Sequence, residues 1–489
     1  MEHRITIGNN QVGFSASEKM TLLEVLRVHG LAPEAPCGGH GSCGKCKVQV
    51  DGIEQLACQT VVDHDMTVLL PQKTENTNIL LSGCDTTVTM HPLKSGTLLA
   101  FDIGTTTIAG YLLSEQGQEL ASASMLNPQA PFGADVISRI QLALAGQMEE
   151  LTAYIRTGIQ ELTEELCRKS GTAASDIGVV SIVGNPCMQQ LFLGISPKNL
   201  ATVPFAPVIK ASSVCPAKKI LPLWENALLL TVPDISGYVG ADTMGCVLST
   251  HMYEQSTMTL MVDIGTNGEM VLGSQNRMAA CSTAAGPALE GAKIQFGMRG
   301  APGAIDHVWI EDGALAVSVI GGGESVGICG SGLIDAVACL LDLGLLNARG
   351  RLQTTEAWEG DRIVHLTDQI FLTQNDIREV QMAKGAIAAG IHLMAKELGI
   401  AITDIDQVLL AGAFGNFLNP ESACRIGLLP AELADKIKPV GNAAGSGAKL
   451  LACNQEELAL TNQLINRIAF LELASLPDFQ REFAKNMRF

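Results

Sequence analysis

Four cysteines, Cys37, Cys43, Cys46 and Cys58, stand near the start of the chain with gaps of five, two and eleven residues between them. Thiolates are soft ligands, and three from one tight loop with a fourth from a distant segment can hold a pair of irons. The loop from Cys37 to Cys46 reads Cys-Gly-Gly-His-Gly-Ser-Cys-Gly-Lys-Cys, with four glycines among ten residues. Such a backbone can curl around a cluster and aim N–H groups at its sulfurs, which stabilises the reduced state. The pattern points to a [2Fe-2S] centre and to electron transfer. Zinc is the alternative, because paired cysteines in an intracellular protein often bind it. Zinc sites usually carry two Cys-x-x-Cys-like knuckles, however, and Cys37 and Cys58 belong to no such pair.

The surrounding residues supply a frame for that loop. Arg4 to Phe14 reads as two short strands around the turn Gly8-Asn9-Asn10, and Thr21 to Gly30 as a helix with Thr21 near its start and Gly30 closing it. Lys47 to Gly52 is a strand and turn, and Met66 to Leu70 a last strand ended by Pro71. This is a small β-grasp pattern that keeps the cluster at the surface, where a partner can approach. The cysteine spacing is similar to that of plant-type ferredoxins, whose first gap is usually one residue shorter.

A second chemistry starts some 40 residues after the last of these cysteines. Leu98 to Leu112 gives an apolar strand, the turn Asp102-Ile-Gly104-Thr105-Thr106-Thr107 and another strand. Thr259 to Leu272 repeats it around Asp263-Ile-Gly265-Thr266-Asn267-Gly268, the two aspartates lying 161 residues apart. A turn of this kind offers backbone N–H groups and hydroxyls to phosphate oxygens, and an aspartate at the strand end can hold Mg2+ through water. One copy is weak evidence, since a glycine turn between strands is usually a plain hairpin. Two copies indicate a duplicated nucleotide fold. The pair resembles the phosphate loops of the actin, hexokinase and Hsp70 superfamily, in which two ribonuclease-H-like halves close on ATP. Gln407 to Phe417, with Gly412, Ala413, Phe414 and Gly415 at its turn, is similar to the adenosine motif of that superfamily. A strand-to-helix turn in an ordinary α/β core is the bland alternative for it.

Other polar islands interrupt apolar sequence. Asn185, after the strand Ile177 to Val183, stands where the superfamily often places a residue that orients the attacking water; otherwise it caps a helix. Asn127-Pro-Gln and Gly133-Ala-Asp135 precede a long amphipathic helix through Lys169, with Asp135 a candidate cap. Gly240-Ala-Asp242, Cys281 to Gly291, Gly321-Gly-Gly-Glu and Gly327 to Gly332 permit either close ligand approach or close helix packing.

At 489 residues the chain is too long for one core. The hydrophobic fraction of 47% indicates large buried cores, yet no apolar run is long enough to span a membrane. No signal peptide is evident, and a cytoplasmic setting fits clustered cysteines with the others scattered. The net charge of -18 excludes nucleic acid and anionic membrane as expected partners and suits docking by charge. The polar stretch between the two chemistries reads as a linker with a short strand at Ile79 to Leu81 and an isolated thiol at Cys84.

Taken in order, these strings resemble the ATP-dependent reductive activators of corrinoid proteins over nearly the whole chain. They are the cysteine set, Phe101-Asp-Ile-Gly-Thr-Thr-Thr, Asn127-Pro-Gln with Gly133-Ala-Asp-Val-Ile-Ser-Arg-Ile, Val239-Gly-Ala-Asp, Val262-Asp-Ile-Gly-Thr-Asn-Gly-Glu, Ser282 to Gly291 and Gly412-Ala-Phe-Gly-Asn-Phe. At Gly184-Asn-Pro-Cys-Met-Gln-Gln the family tends to have Thr and His, and relatives with a C-terminal [4Fe-4S] centre are excluded by the cysteine positions. The resemblance implies an α+β and α/β multidomain protein. Residues 1–72 are expected to form a β-grasp ferredoxin domain and 73–96 a linker, with 97–258 and 259–489 the two halves of a duplicated, actin-like ATPase. It further implies reduction of Co(II) to Co(I) in a corrinoid protein of a methyltransferase system, an upstream electron donor and a homodimer. ATP closing the cleft around Asp102 and Asp263 would favour displacement of the cobalt's axial ligand. A redox-gated small-molecule kinase of the same ATPase superfamily and a ferredoxin-like adaptor with a degenerate nucleotide fold are the competing functions. An activator of 2-hydroxyacyl-CoA dehydratases would need a [4Fe-4S] cluster that these cysteines cannot supply.

Overall fold

The computed structural model describes residues 2–8, 12–17, 20–33, 44–71, 89–133, 135–265, 267–286 and 288–489, with Ala35, Gly38, Gly39, Gly41, Gly83 and Cys84. Asn9, Asn10, Cys37, Cys43, Thr266 and the expected strand at Ile79 to Leu81 lie outside the described residues.

Apolar residues alternate along the first strands, and these pair into a five-stranded sheet. Its order is Val12–Ser17, Glu2–Ile7, Met66–Leu69, Lys47–Val50, Ile53–Leu56. Glu2–Ile7 runs antiparallel to Val12–Ser17 and parallel to Met66–Leu69, the mixed pairing of a β-grasp. The helix Leu22–Val28 starts at a capping box, the Thr21 side chain accepting from the Glu24 amide while Glu24 accepts from Thr21 N. It buries Leu22, Leu23, Val25 and Leu26 with Ile5, Val48, Val50 and Val68. Each such side chain contributes about 1.5–3 kcal/mol by leaving water. The Ile53–Leu56 strand completes a hairpin with Lys47–Val50 around Asp51 and Gly52.

Two six-stranded sheets follow, and they share one plan. In the first, the hairpin Thr97–Ile103 and Thr107–Leu113 continues to Glu119–Leu126, and Ile177–Gly184 lies parallel on the other side. In the second, the hairpin Thr259–Ile264 and Gly268–Ser274 continues to Arg277–Thr283, with Gln407–Ala411 parallel beside it. Strands buried on both faces read as continuous apolar runs, which is why Leu98 to Ile103 and Leu260 to Ile264 lack alternation. The helices Ala241–Thr250 and Ala443–Cys453, one from each half, cross where a Cβ on Gly447 would stand 2.2 Å from the Gly245 carbonyl oxygen. Only glycine permits that approach, and the crossing joins the two halves.

One sequence expectation changes here and two readings gain detail. The helix expected through Lys169 is divided into Val136–Leu142 and Met148–Ser170 by a π-helical turn, because Gly146 takes φ +102°, outside helical space. The glycines of 327–332 serve packing: a Cβ on Gly327 would meet the Phe296 carbonyl, on Gly330 the Leu289 carbonyl, and on Gly332 that of Ile305. Finally, the last part of the polar stretch at 73–96 is docked, His91 N donating to Cys453 O (2.8 Å) and Gln455 N to His91 O (2.9 Å).

Candidate functional site

The cluster loop is shaped by its glycines. Gly38, Gly39, Gly41 and Gly44 all take left-handed φ, from +64° to +103°. A Cβ on Gly41 would stand 2.4 Å from Gln59 Nε2, so Gly41 lies close against the segment that carries Cys58. Ala57 N donates to Cys46 O at 2.8 Å, which stitches the two cysteine segments together. Cys46 and Cys58 are buried within the β-grasp core. These soft donors beneath a glycine-wound loop fit a [2Fe-2S] group better than a closed zinc cage, although Cys37 and Cys43 lie outside the described residues.

The two phosphate-loop candidates sit at equivalent strand ends. Asp102 closes Thr97–Ile103, and Gly104 N donates to Thr107 O at 2.9 Å; Asp263 closes Thr259–Ile264, and Gly265 N donates to Asn267 O at 2.9 Å. Thr107 and Gly268 begin the return strands. Asn185 caps Pro186–Leu193, its side-chain oxygen accepting from Met188 N, and its Nδ2 donates to Thr105 Oγ1 at 3.0 Å, which places it beside the first turn. Thr106 Oγ1 donates across the cleft to Glu290 Oε1 at 3.2 Å.

Electrostatics ties the aspartates into one site. Burial and the nearby Asp242 and Asp263 carboxylates push Asp102 up to about 7. Burial and Asp242 push Asp263 up to about 7, and burial pushes Asp242 up to about 6. Glu269, opposite Asp263 in the hairpin register, is raised well above the carboxylate range by burial and by Asp242 and Asp263. Carboxylates that repel one another in a cleft call for a cation. Among the described residues no three acidic, His or Cys side chains form a direct metal cage.

The Gln407–Ala411 strand delivers the adenosine-motif candidate against this site. Gly412, at φ +80°, opens the short helix Gly412–Phe417, and a Cβ there would stand 2.5 Å from Asp263 Oδ1. Ala413 follows on the same turn, and Phe414 lies against Gly330. Gly415 packs on Leu410, where a Cβ would stand 3.0 Å from the Leu410 Cβ. Thus Asp102, Asp263, Gly412 and the 104–107 turn converge, Asn185 joins them through Thr105, and the cysteines occupy a separate domain.

Four residues escaped the sequence argument as site members. Asp242 lies in a motif given no role, although an acid in the first turn of a buried helix is a signal in itself. Glu269 follows the second turn directly and could have been taken with it. Asn442 hydrogen-bonds Asp102 and Tyr111 and caps Ala443–Cys453 through Gly445 N. Its signal was a strand, a glycine, an asparagine and a run of small residues. Glu290 was noticed only as part of a small-residue string.

Comparison with known proteins covers the chain in three parts. Residues 5–67 match the 2Fe-2S iron-sulfur cluster binding domain, 98–255 the RACo middle region, and 257–489 the C-terminal domain of RACo, the ASKHA domain. The corrinoid activation enzyme RamQ of Eubacterium limosum is 34% identical over 479 residues, covering 91% of this chain and 80% of the relative. The [Co(II) methylated amine-specific corrinoid protein] reductase of Methanosarcina barkeri is 28% identical over 392 residues, covering 74% of this chain and 70% of that protein. The solved structure of a reductive activator for corrinoid, iron-sulfur protein aligns over 100% of this chain and 98% of its own, with a TM-score of 0.74 and 27% identity.

Proposed function

The chain belongs to the RACo family and is an enzyme of reductive corrinoid activation, and from that premise we propose that ATP hydrolysis in the cleft of the actin-like fold drives the reduction. The substrate is a corrinoid protein of a methyltransferase system whose cobalt has become Co(II). One electron restores Co(I), the form that accepts a methyl group. Bound by Cys37, Cys43, Cys46 and Cys58, a [2Fe-2S] group supplies single electrons at a potential of roughly -400 mV, a weak donor for this acceptor. The step therefore runs uphill and needs a second source of free energy.

The cleft residues are suited to supply it. In this reading the backbone and hydroxyls of Gly104, Thr105, Thr106 and Thr107, and of Gly265, Thr266, Asn267 and Gly268, hold the phosphates. Asp102 and Asp263 bind Mg2+ through water, and Asn185, anchored to Thr105, orients the attacking water. Gly412, Ala413, Phe414 and Gly415 line the adenosine side. ATP closes the halves about the Gly245 and Gly447 crossing and favours a complex in which the cobalt's axial ligand is displaced. Hydrolysis then releases the partner, as differential affinity for two states requires.

The observation that carries this proposal is the convergence of Asp102, Asp242, Asp263 and Gly412 at two duplicated turns in a chain that also bears the cluster loop. A homodimer in the cytoplasm, fed by a separate electron donor, completes the proposal. Residues 1–72 carry the cluster, 73–96 connect, and 97–258 with 259–489 form the ATPase. Among the described residues no helix is long and apolar enough to cross a membrane. The test is product analysis with the reduced protein, MgATP and a Co(II) corrinoid protein. Orthophosphate should accumulate with loss of the Co(II) signal and without any phosphorylated compound. A phosphorylated small molecule would instead identify a kinase.

A further inference from the structure

The cluster domain touches both halves of the ATPase. Arg27, in the last turn of Leu22–Val28, donates Nε to Pro131 O at 2.8 Å and Nη2 to Gly38 O of the cluster loop at 3.0 Å. Its guanidinium lies over the Phe132 ring, 5.3 Å from the centroid. Tyr154 packs against Phe132 and donates its hydroxyl to Arg27 O at 2.7 Å. On the other half, Lys45, the neighbour of Cys46, donates Nζ to Gly297 O at 3.1 Å and Ile294 O at 3.4 Å.

Both contacts lead back to one turn. Pro131 belongs to a loop whose Asn127 bonds Thr106 O through its amide (2.9 Å) and Gly104 O through Nδ2 (2.8 Å). Gln129 of that loop accepts from Arg139, whose buried guanidinium also donates to Thr105 O. On the Lys45 side, Gly297 lies so close to Gly291 that a Cβ would stand 2.2 Å from the Gly291 carbonyl oxygen. The adjacent Glu290 is the residue that accepts the Thr106 hydroxyl. The 104–106 turn is the common end of both arms.

We propose that Arg27 and Lys45 form a two-point latch that seats the cluster domain across the ATPase cleft, and that nucleotide phosphate at Thr106 opens the Lys45 arm. The proposal rests on the ATP-binding reading above. A threonine hydroxyl has one proton to donate. Given to a phosphate oxygen, it is no longer available to Glu290, and the anionic phosphate repels the Glu290 carboxylate. Glu290 withdraws with the 291–298 segment, and Lys45 loses the Gly297 and Ile294 carbonyls. The domain stays held on the Arg27 side and can turn its cluster loop toward a partner. Losing a charged donor's bonds to backbone carbonyls shifts the seated equilibrium by about ten- to a hundredfold. ATP thereby controls where the electron carrier stands as well as what the cleft does.

Hydrogen–deuterium exchange on the full, cluster-loaded chain tests this, with and without a non-hydrolysable ATP analogue whose binding is measured by calorimetry on the same samples. Peptides spanning 44–50 and 291–300 should exchange at least about tenfold faster when the analogue is bound, while 20–32 keeps its nucleotide-free rate. Glu290→Gln, which weakens the acceptor for Thr106, should raise exchange in both peptides without nucleotide. Tyr154→Phe leaves the cluster domain's own sequence intact and should speed exchange at 20–32 alone, with an unchanged visible spectrum. Analogue binding with no change in exchange overturns the latch and leaves the ATP reading standing; failure of the analogue to bind overturns both. Exchange in Glu290→Gln and Tyr154→Phe equal to that of the native chain also overturns the latch.

Discussion

Replacing Gly412 by alanine separates the geometry of the cleft from its general stability. Gly412 holds φ +80°, and the added methyl would stand 2.5 Å from Asp263 Oδ1. Left-handed backbone costs a residue with a Cβ about 1–2 kcal/mol. Relieving the contact by turning the Asp263 side chain off its rotamer adds about 0.5–1.5 kcal/mol. Gly412→Ala should therefore destabilise the protein by roughly 1.5–3.5 kcal/mol. In an Asp263→Ala background the oxygen is gone, and the same change should cost only the backbone part, about 1–2 kcal/mol. Chemical denaturation of all four proteins, followed by near-ultraviolet circular dichroism, measures the coupling. If Asp263 holds the role proposed for it, the functional loss is larger in proportion, because a misplacement of about 1 Å can cost about a hundredfold in rate. ATP hydrolysis by Gly412→Ala should fall on that scale while the cluster spectrum is unaffected. Additive effects of the two substitutions on stability, or native ATPase in Gly412→Ala, would refute the close approach of the adenosine turn to Asp263.

Asn442→Ala removes both the cap of Ala443–Cys453 and a hydrogen bond that holds the Asp102 carboxyl down. It should cost about 0.5–2 kcal/mol in stability and move the acidic limb of ATPase activity to higher pH, read from a pH–rate profile. Cys46→Ser should abolish the visible absorption and lower bound iron while leaving nucleotide affinity near the native value, measured by calorimetry. Asp102 and Asp263, raised to about 7 by burial and neighbouring carboxylates, hold protons in the folded state that the unfolded chain releases. Their contribution to stability is therefore full below the ordinary aspartate pKa of about 4 and is lost as pH rises through about 7. The thermal midpoint of the nucleotide-free protein should fall between about pH 4 and 7. MgATP analogue, which binds the ionised carboxylates, should flatten that fall, and a midpoint equally steep with the analogue would count against cation binding there.

Much of this architecture was legible because each local signal agreed with the global one. Thr21 announced the start of a helix, and the structure begins it there, with a capping box to Glu24 that the sequence reading did not name. The two Asp-x-Gly-Thr turns announced a duplication, and both sheets place them at the end of an antiparallel hairpin beside a parallel strand. Asn185 was left between cap and site; its oxygen accepts from Met188 N as a cap, and its nitrogen donates to Thr105, a contact that spacing alone could not reveal. The break at Gly146 was hidden because a lone glycine inside a helical pattern is usually tolerated. Asn442 was invisible because its importance lies in contacts with Asp102 and Tyr111, each more than 300 residues away in sequence. Gly327, Gly330 and Gly332 could not be assigned from sequence, since close packing and close ligand approach ask for the same residue.

The central claim is that nucleotide in the cleft controls delivery of an electron to cobalt. Mix the pre-reduced native protein, or Asp263→Ala carrying a full cluster, with a Co(II) corrinoid protein in the presence and absence of MgATP, and follow the Co(II) electron paramagnetic resonance signal in a single turnover. The account predicts that MgATP accelerates loss of the signal with the native protein and that Asp263→Ala loses this dependence, its reduction either absent or indifferent to ATP. Native-like ATP stimulation in Asp263→Ala would contradict it.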